Sequence, residues 1–358
     1  MSRPARARLD PGALRHNLAK VRALAPDARV MAVIKANGYG HGLLWAARTL
    51  SEADAFGVAS IEEGRELRAG GVSQPICLLE GFFEASEIPV LARERLVPAI
   101  HEPGQIAALA SATEPLDVWL KLDSGMHRLG FPVERAQEAY QRLRSIPAIS
   151  SISALSHLAS ADNPFDNATR SQVECFVSAT ESWNVARSMA NSAGILAWPE
   201  THFDWVRPGL MLYGMSPLIG RKASEFDLRP VMTLESAVIA VRIQRKGAAI
   251  GYGGDYLCPE DMPVGVIAAG YGDGYPRHAA TGTPVLVGGE VVPLIGRVSM
   301  DMITVDLRRR PQTRVGDPVV LWGRGLPAEE VAQWAQTIPY TLVCGVTPRI
   351  PREELGDE

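Results

Sequence analysis

Cysteine is scarce in this sequence, and its four copies, Cys77, Cys175, Cys258 and Cys344, stand far apart. None forms a C-x-x-C pair, so neither a zinc site nor a disulfide framework is suggested, and no metal is expected. Aromatic residues make up only 6% of the chain. No run of about 18 or more apolar residues occurs, so no transmembrane helix and no membrane partner are expected. Arg3, Arg6 and Arg8 have no apolar stretch behind them, which gives no reason to expect a signal peptide. Long basic tracts are missing too: with a net charge of −4 and Arg308-Arg309-Arg310 as the other local basic cluster, a nucleic-acid partner is not expected. Reduced thiols fit a cytoplasmic protein. Low-complexity tracts are absent as well.

What the chain does contain is length and alternation. Its 358 residues suit one large domain plus a smaller one. A helix is predicted from Leu9 to about Ala25, opening on Asp10-Pro11. Short apolar runs then recur, each followed by a helical pattern: 30–34, 55–59, 75–79, 96–100, 118–122 and 152–155, then Ser188-Met189-Ala190 and a last run around Met211-Leu212-Tyr213. About eight strands interleaved with helices predict a parallel (β/α)8 barrel of the TIM type over residues 9–228, an α/β fold. After Leu228 the character shifts to Val, Ile and Thr runs broken by Gly and Pro, with Gly288-Gly289 as a hairpin turn and only Pro327–Ile338 helical. This predicts a mostly β C-terminal domain over 229–358, which residues 1–8 could join, with the boundary at Glu225–Pro230.

Residues 33–42, V-I-K-A-N-G-Y-G-H-G, set Lys35 at the end of the first apolar run and before three glycines. A lysine held at a buried strand end loses part of its hydration, which frees the amine for Schiff-base chemistry. Read alone, the same residues fit a lysine snorkelling to water equally well. The other notable residues also follow predicted strands: Arg128 after the fifth, His157 after the sixth, Asn191-Ser192 after the seventh, and Arg207-Pro208-Gly209 at the eighth. Active sites of such barrels lie at the C-terminal ends of the strands, with phosphate often held after the seventh and eighth. Ser192 and the backbone of Gly209-Leu210 stand where a phosphate ester would be held. Taken singly, His157 could be a satisfied strand-end histidine, and Arg207 could pair with Asp204 or Glu200 on the surface. Five loops presenting donors at one rim suit an anionic cofactor better than that bland reading.

Residues 33–42 resemble the pyridoxal phosphate lysine motif of alanine racemases, which usually reads K-A-N-A-Y-G-H-G. Gly38 departs at one position and is expected to loosen the loop slightly. Lys121-Leu-Asp-Ser-Gly-Met-His-Arg128-Leu-Gly resembles that family's K-x-D-T-G-M-x-R-L-G, with His127 where many relatives have glycine. Asn191-Ser192-Ala193, Arg207-Pro208-Gly209 and Ile338-Pro339-Tyr340 match as well, as do Ile250-Gly-Tyr252-Gly, the stretch Gly270-Tyr271 to Arg277, and Arg297-Val-Ser-Met300-Asp301.

The resemblance implies an enzyme, an isomerase interconverting L-alanine and D-alanine, with pyridoxal 5'-phosphate held covalently on Lys35. It implies Lys35 and Tyr252 as the two bases on opposite faces of the cofactor, with His157 helping Tyr252. It further implies Tyr39, Arg128, Asn191, Ser192, Arg207, Gly209, Leu210 and Tyr340 as cofactor contacts, and Arg128, Tyr271, Met300 and Asp301 as substrate contacts. Lys121 corresponds to a lysine that is often carbamylated and orients the arginine seven residues on. The partners implied are a small amino acid and a second copy of the chain sharing its active sites. Two alternatives stand beside this: a broader alanine/serine racemase, and a non-catalytic pyridoxal phosphate-binding protein on the same barrel. A decarboxylase of similar architecture would carry a cysteine-aspartate motif that none of the four cysteines reproduces.

Overall fold

The structure, a computed structural model, describes residues 3–356; Met1, Ser2, Asp357 and Glu358, included in the expected domains, lie outside the described residues. The chain divides into two compact units. One holds Arg15–Leu212 and Pro217–Arg221; the other holds the segment up to Leu14, Tyr213–Ser216 and the chain from Lys222 onward.

The first unit is the barrel. Its parallel strands are Arg29–Val33, Ala55–Val58, Ile76–Leu78, Leu96–Ile100, Leu116–Asp123, Ile149–Leu155, Arg187–Ser188 and Trp205–Val206. Each pairs with the next, and Trp205–Val206 pairs back onto Arg29-Val30, which closes the ring. Ala55–Val58 and Ile76–Leu78 are buried at every position, as a parallel sheet covered by helices requires. The helices are amphipathic: Ala136–Arg144 buries Ala136, Ala139 and Leu143 and turns its charged residues to water.

The eighth strand is not where the sequence placed it. Met211-Leu212-Tyr213 lies in a 3-10 turn, Leu210–Tyr213, and the strand is the two-residue segment Trp205–Val206. A short buried apolar run has the same composition in either conformation, so periodicity does not separate them. The correction puts Arg207 directly after the eighth strand. The first helix likewise starts at Pro11 rather than Leu9, which ends a strand, Arg6–Leu9.

The barrel interior is filled by one side chain from seven of its strands: Met31, Ala55, Cys77, Ala99, Trp119, Leu155 and Trp205. Trp119 and Trp205 meet edge to face at 6.2 Å, and the Arg29 guanidinium lies 4.2 Å over the Trp205 ring.

The second unit is mostly β. Met232–Gln244 is its longest strand and pairs antiparallel with Arg6–Leu9, Met262–Ile267 and Pro318–Trp322. Arg6–Leu9 also takes Arg352–Glu354 as a parallel neighbour. Val287 pairs with Glu290 across the Gly288-Gly289 hairpin turn. Helical structure there exceeds the expectation: Ala328–Trp334 is followed by a further helix, Pro339–Cys344, opened by its proline. Tyr340 is the second residue of that helix.

Trp119→Ala is expected to empty the barrel interior and cost about 3–5 kcal/mol, read as a lower urea midpoint at unchanged slope. A loss below about 1 kcal/mol would show that the barrel does not depend on this indole.

Candidate active site

Lys35 lies two residues past the first barrel strand, half-buried, and two hydrogen bonds tie that strand end to its neighbours. Val33 N–H donates to the Pro208 carbonyl and Ile34 N–H to the Gly57 carbonyl, each at 2.9 Å. The tight loop expected after Lys35 is a left-handed turn: Ala36, Asn37, Gly38 and Tyr39 have φ of 53°, 55°, 60° and 51°. A left-handed helical residue bearing a Cβ costs about 1–2 kcal/mol. Three such residues therefore store on the order of 3–6 kcal/mol, and Gly38 adds none. Its effect is thus to lower the strain of the turn, where the sequence suggested loosening. A Cβ at position 38 would also come within 3.1 Å of the Ala46 Cβ.

Several groups hold this turn. Asn37 Oδ1 accepts from Leu43 N–H at 2.9 Å, and His41 Nδ1 lies 3.0 Å from the Gly38 carbonyl and 2.9 Å from that of Tyr39. Glu63 accepts from Ala36 N–H at 2.7 Å and from Ala59 N–H at 2.8 Å. The sequence reading missed Glu63. Its signal was Ser60-Ile61-Glu62-Glu63, the S-x-x-E pattern of a helix start.

Tyr39, Ser192 and Gly209 form one corner of the barrel unit. Ser192 Oγ accepts from Gly209 N–H at 2.9 Å and from Met211 N–H at 3.2 Å, and a Cβ at Gly209 would lie 2.6 Å from the Tyr39 hydroxyl. Two hydroxyls beside the backbone N–H groups of Gly209 and Met211 suit a phosphate ester. Leu210 begins the 3-10 turn at this corner. Asn191 acts locally, its side chain accepting from Gly194 N–H at 3.0 Å and so capping the short helix Ser192–Ala197.

A cationic cluster lies beside this corner. Arg207, 5% exposed, donates to Ser188 Oγ at 2.6 Å, to the Met189 carbonyl at 3.3 Å and to the Ser156 carbonyl, and reaches His157 Nδ1 at 3.4 Å. Neither Asp204 nor Glu200 is among these partners. Burial pushes the Arg207 guanidinium down to about 10. Burial, together with the charges of Arg207, Lys121, Arg128 and Lys35, holds His157 well below the usual histidine range. The imidazole is therefore neutral, and because Arg207 donates to Nδ1, its proton sits on Nε2. Lys121, 7% exposed, is brought down to about 7 by burial and then by Arg207 and Arg128. Asp123 Oδ1 accepts from the N–H groups of Gly125, Met126 and His127, each at 3.0 Å, and so shapes the exposed loop that carries Arg128.

The remaining candidates belong to the β unit. Tyr252 opens a 3-10 turn after Gly251 and is 68% exposed. Tyr271 and Met300 are exposed on adjoining segments, joined by Tyr271 N–H to the Ser299 carbonyl at 3.0 Å and Gly272 N–H to the Met300 carbonyl at 2.8 Å. Asp301 is engaged within its own unit: Arg349 donates to its carboxylate at 2.7 Å and Arg3 to its carbonyl at 2.7 Å, while Arg3 also grips the buried Asp273 at 2.6 Å.

Comparison with known proteins accounts for nearly the whole chain. Residues 9–217 match the family pattern described as alanine racemase, N-terminal domain, and residues 231–354 that of alanine racemase, C-terminal domain. An alanine racemase from Nitrosococcus oceani is 53% identical over 347 residues, covering 96% of this chain and 97% of the relative. A biosynthetic alanine racemase from Escherichia coli K12 is 51% identical over 342 residues, covering 94% and 95%. The crystal structure of the biosynthetic alanine racemase from Pseudomonas aeruginosa superposes with a TM-score of 0.97 at 45% identity, covering 99% of this chain and all of that one. With matches of this extent in both units, the chain belongs to the alanine racemase family.

Proposed function

We propose that the chain interconverts L-alanine and D-alanine by passing the Cα proton between two bases, with pyridoxal 5'-phosphate as its cofactor. The observation that carries this reading is Lys35 at the first strand end of a barrel whose eighth strand presents a buried arginine and a hydroxyl-lined corner. These residues fit the cofactor. The corner of Tyr39, Ser192, Gly209 and Leu210 would take its phosphate, Arg207 would face the ring nitrogen, and Tyr340 stands as a further candidate contact. The match to the C-terminal domain over residues 231–354 speaks against a barrel-only binding protein.

When bound, the cofactor supplies the electron sink that lets Cα release a proton. The chain supplies everything else. Lys35 serves one face as base and acid, and Tyr252 serves the other. A phenolate in this role needs a hydrogen-bond donor, and the neutral His157 is the candidate. Arg207 keeps its proton at neutral pH even when pushed down to about 10. A partner that keeps its proton limits stray proton transfer to the cofactor, which favours racemisation over transamination. A small substrate space limited by Tyr271, Tyr340 and Met300 is part of this reading, with Arg128 and Asp301 as further substrate contacts; Arg349 holds the Asp301 carboxylate at 2.7 Å. Alanine fits such a space better than longer side chains, and serine differs from it by one hydroxyl.

Lys121 is suited to carbamylation. Its amine attacks carbon dioxide through the nitrogen lone pair and releases one proton, giving a carbamate anion in the field of Arg128 and Arg207. Only the neutral amine reacts, and its share grows as pH rises through about 7. With labelled bicarbonate, a carbamate carbon signal should therefore strengthen from mildly acidic to mildly basic pH and vanish in Lys121→Met. No signal on the basic side would refute the assignment.

The working enzyme is a homodimer with shared sites, in the cytoplasm. Exposed apolar side chains in the β unit, including Ile243, Leu257, Tyr252 and Met300, support an interface with a second copy. Among the described residues, no helix is long and apolar enough to cross a membrane. The function is tested by assaying L-amino acids for D-product, with alanine expected to be turned over fastest. Inactive Lys35→Ala and Tyr252→Phe proteins, mixed so that subunits exchange, should regain activity in heterodimers. Verified exchange without activity would place Tyr252 within its own chain's site or outside catalysis.

A further inference from the structure

We propose that Glu63 is a positioning residue for Lys35, the anchor that fixes the peptide plane on which the lysine is mounted. The proposal rests on the reading of Lys35 as the cofactor lysine and one of the two bases. Glu63 is the third residue of the helix Ile61–Ala69 and is half-buried. Its carboxylate joins two segments. Oε1 accepts from Ala36 N–H at 2.7 Å and Asn37 N–H at 3.4 Å, and Oε2 accepts from Ala59 N–H at 2.8 Å, at the end of the second strand.

The Ala36 N–H belongs to the peptide bond formed by the Lys35 carbonyl. Gripping it fixes the rotation about the Lys35 Cα–C bond, and with it the direction in which the Lys35 side chain leaves the backbone. The turn needs such a grip, because Ala36, Asn37 and Tyr39 all carry a Cβ at positive φ. Asn37 and His41 hold its far half, through Leu43 N–H and the carbonyls of Gly38 and Tyr39. Glu63 holds the half next to the lysine. A carboxylate is required there because both oxygens receive donors; a carboxamide of the same size would set its NH2 against one of these N–H groups. Glu63 hydrogen-bonds the backbone and touches neither substrate nor cofactor in this reading, so it acts through Lys35.

A base that serves one face gives this role a signature. Displacing Lys35 slows the proton transfers it makes and leaves those of Tyr252 alone. With alanine deuterated at Cα, the isotope effect of Glu63→Gln should rise for the enantiomer that Lys35 deprotonates and fall for the other, with kcat lowered roughly tenfold or more. A general loosening of the fold would change both directions alike.

The readout independent of turnover is the attachment of pyridoxal phosphate to Lys35 in the apoprotein, followed by absorbance and located by borohydride fixation. It should be roughly tenfold slower in Glu63→Gln. The double variant Glu63→Gln/Ala36→Gly should recover much of that rate, because glycine accepts the left-handed conformation without the carboxylate's help. It also provides a measurable protein if the single variant folds poorly. Wild-type attachment at Lys35, with unchanged rate and unchanged isotope effects in Glu63→Gln, overturns the role of Glu63 alone. Attachment to another lysine in the wild-type protein overturns the reading of Lys35 and this proposal with it.

Discussion

The seam between the first and eighth barrel strands is the constraint on which the candidate site depends. Trp205 and Val206 pair with Arg29 and Val30, and Val33 N–H continues the ladder to the Pro208 carbonyl. That seam sets Lys35 beside the segment Arg207–Gly209, although the two are far apart in sequence. No local preference of either segment would achieve this. It follows from closing a parallel sheet, which in turn requires an interior filled as Met31, Trp119 and Trp205 fill it. Packing at the barrel's centre and chemistry at its rim are therefore one problem.

Electrostatics at the rim follows from burial. Four cations, Arg207, Lys121, Arg128 and Lys35, act on one neutral histidine, and burial pushes Lys121 down to about 7. Such a cluster is costly unless an anion is present. The phosphate-bearing cofactor and a carbamate on Lys121 would each supply negative charge. Arg207 meets the cost of its own burial with neutral acceptors, Ser188 Oγ and the carbonyls of Ser156 and Met189, so its charge is not spent on a carboxylate.

Much of this was legible in the sequence, for identifiable reasons. Alternating apolar runs and helical patterns gave the barrel, because period and length are local properties, and residues after predicted strands gave Lys35, Arg128, His157 and Ser192, whereas Arg207 follows a strand only with the eighth at Trp205–Val206. The eighth strand was misplaced because Trp205–Val206 is only two residues long and the buried turn after it is as apolar as a strand. The helix Pro339–Cys344 was missed for its brevity. Backbone conformation was less legible still: nothing in K-A-N-G-Y announces four successive left-handed residues, three of them not glycine. Glu63 was missed because its hydrogen bonds to Ala36 and Asn37 span a loop closed only in the folded chain. The salt-bridge set of Arg3, Asp273, Asp301 and Arg349 was invisible for the same reason.

The central claim is that the strand-end lysine at position 35 is the residue around which the site is built. Its most direct measurement is reduction of the cofactor-bound protein with borohydride, followed by peptide mapping. The account predicts one pyridoxyl-labelled peptide, containing Lys35, and no label in Lys35→Ala. Label on Lys121 or any other lysine, with Lys35 unmodified, would contradict it.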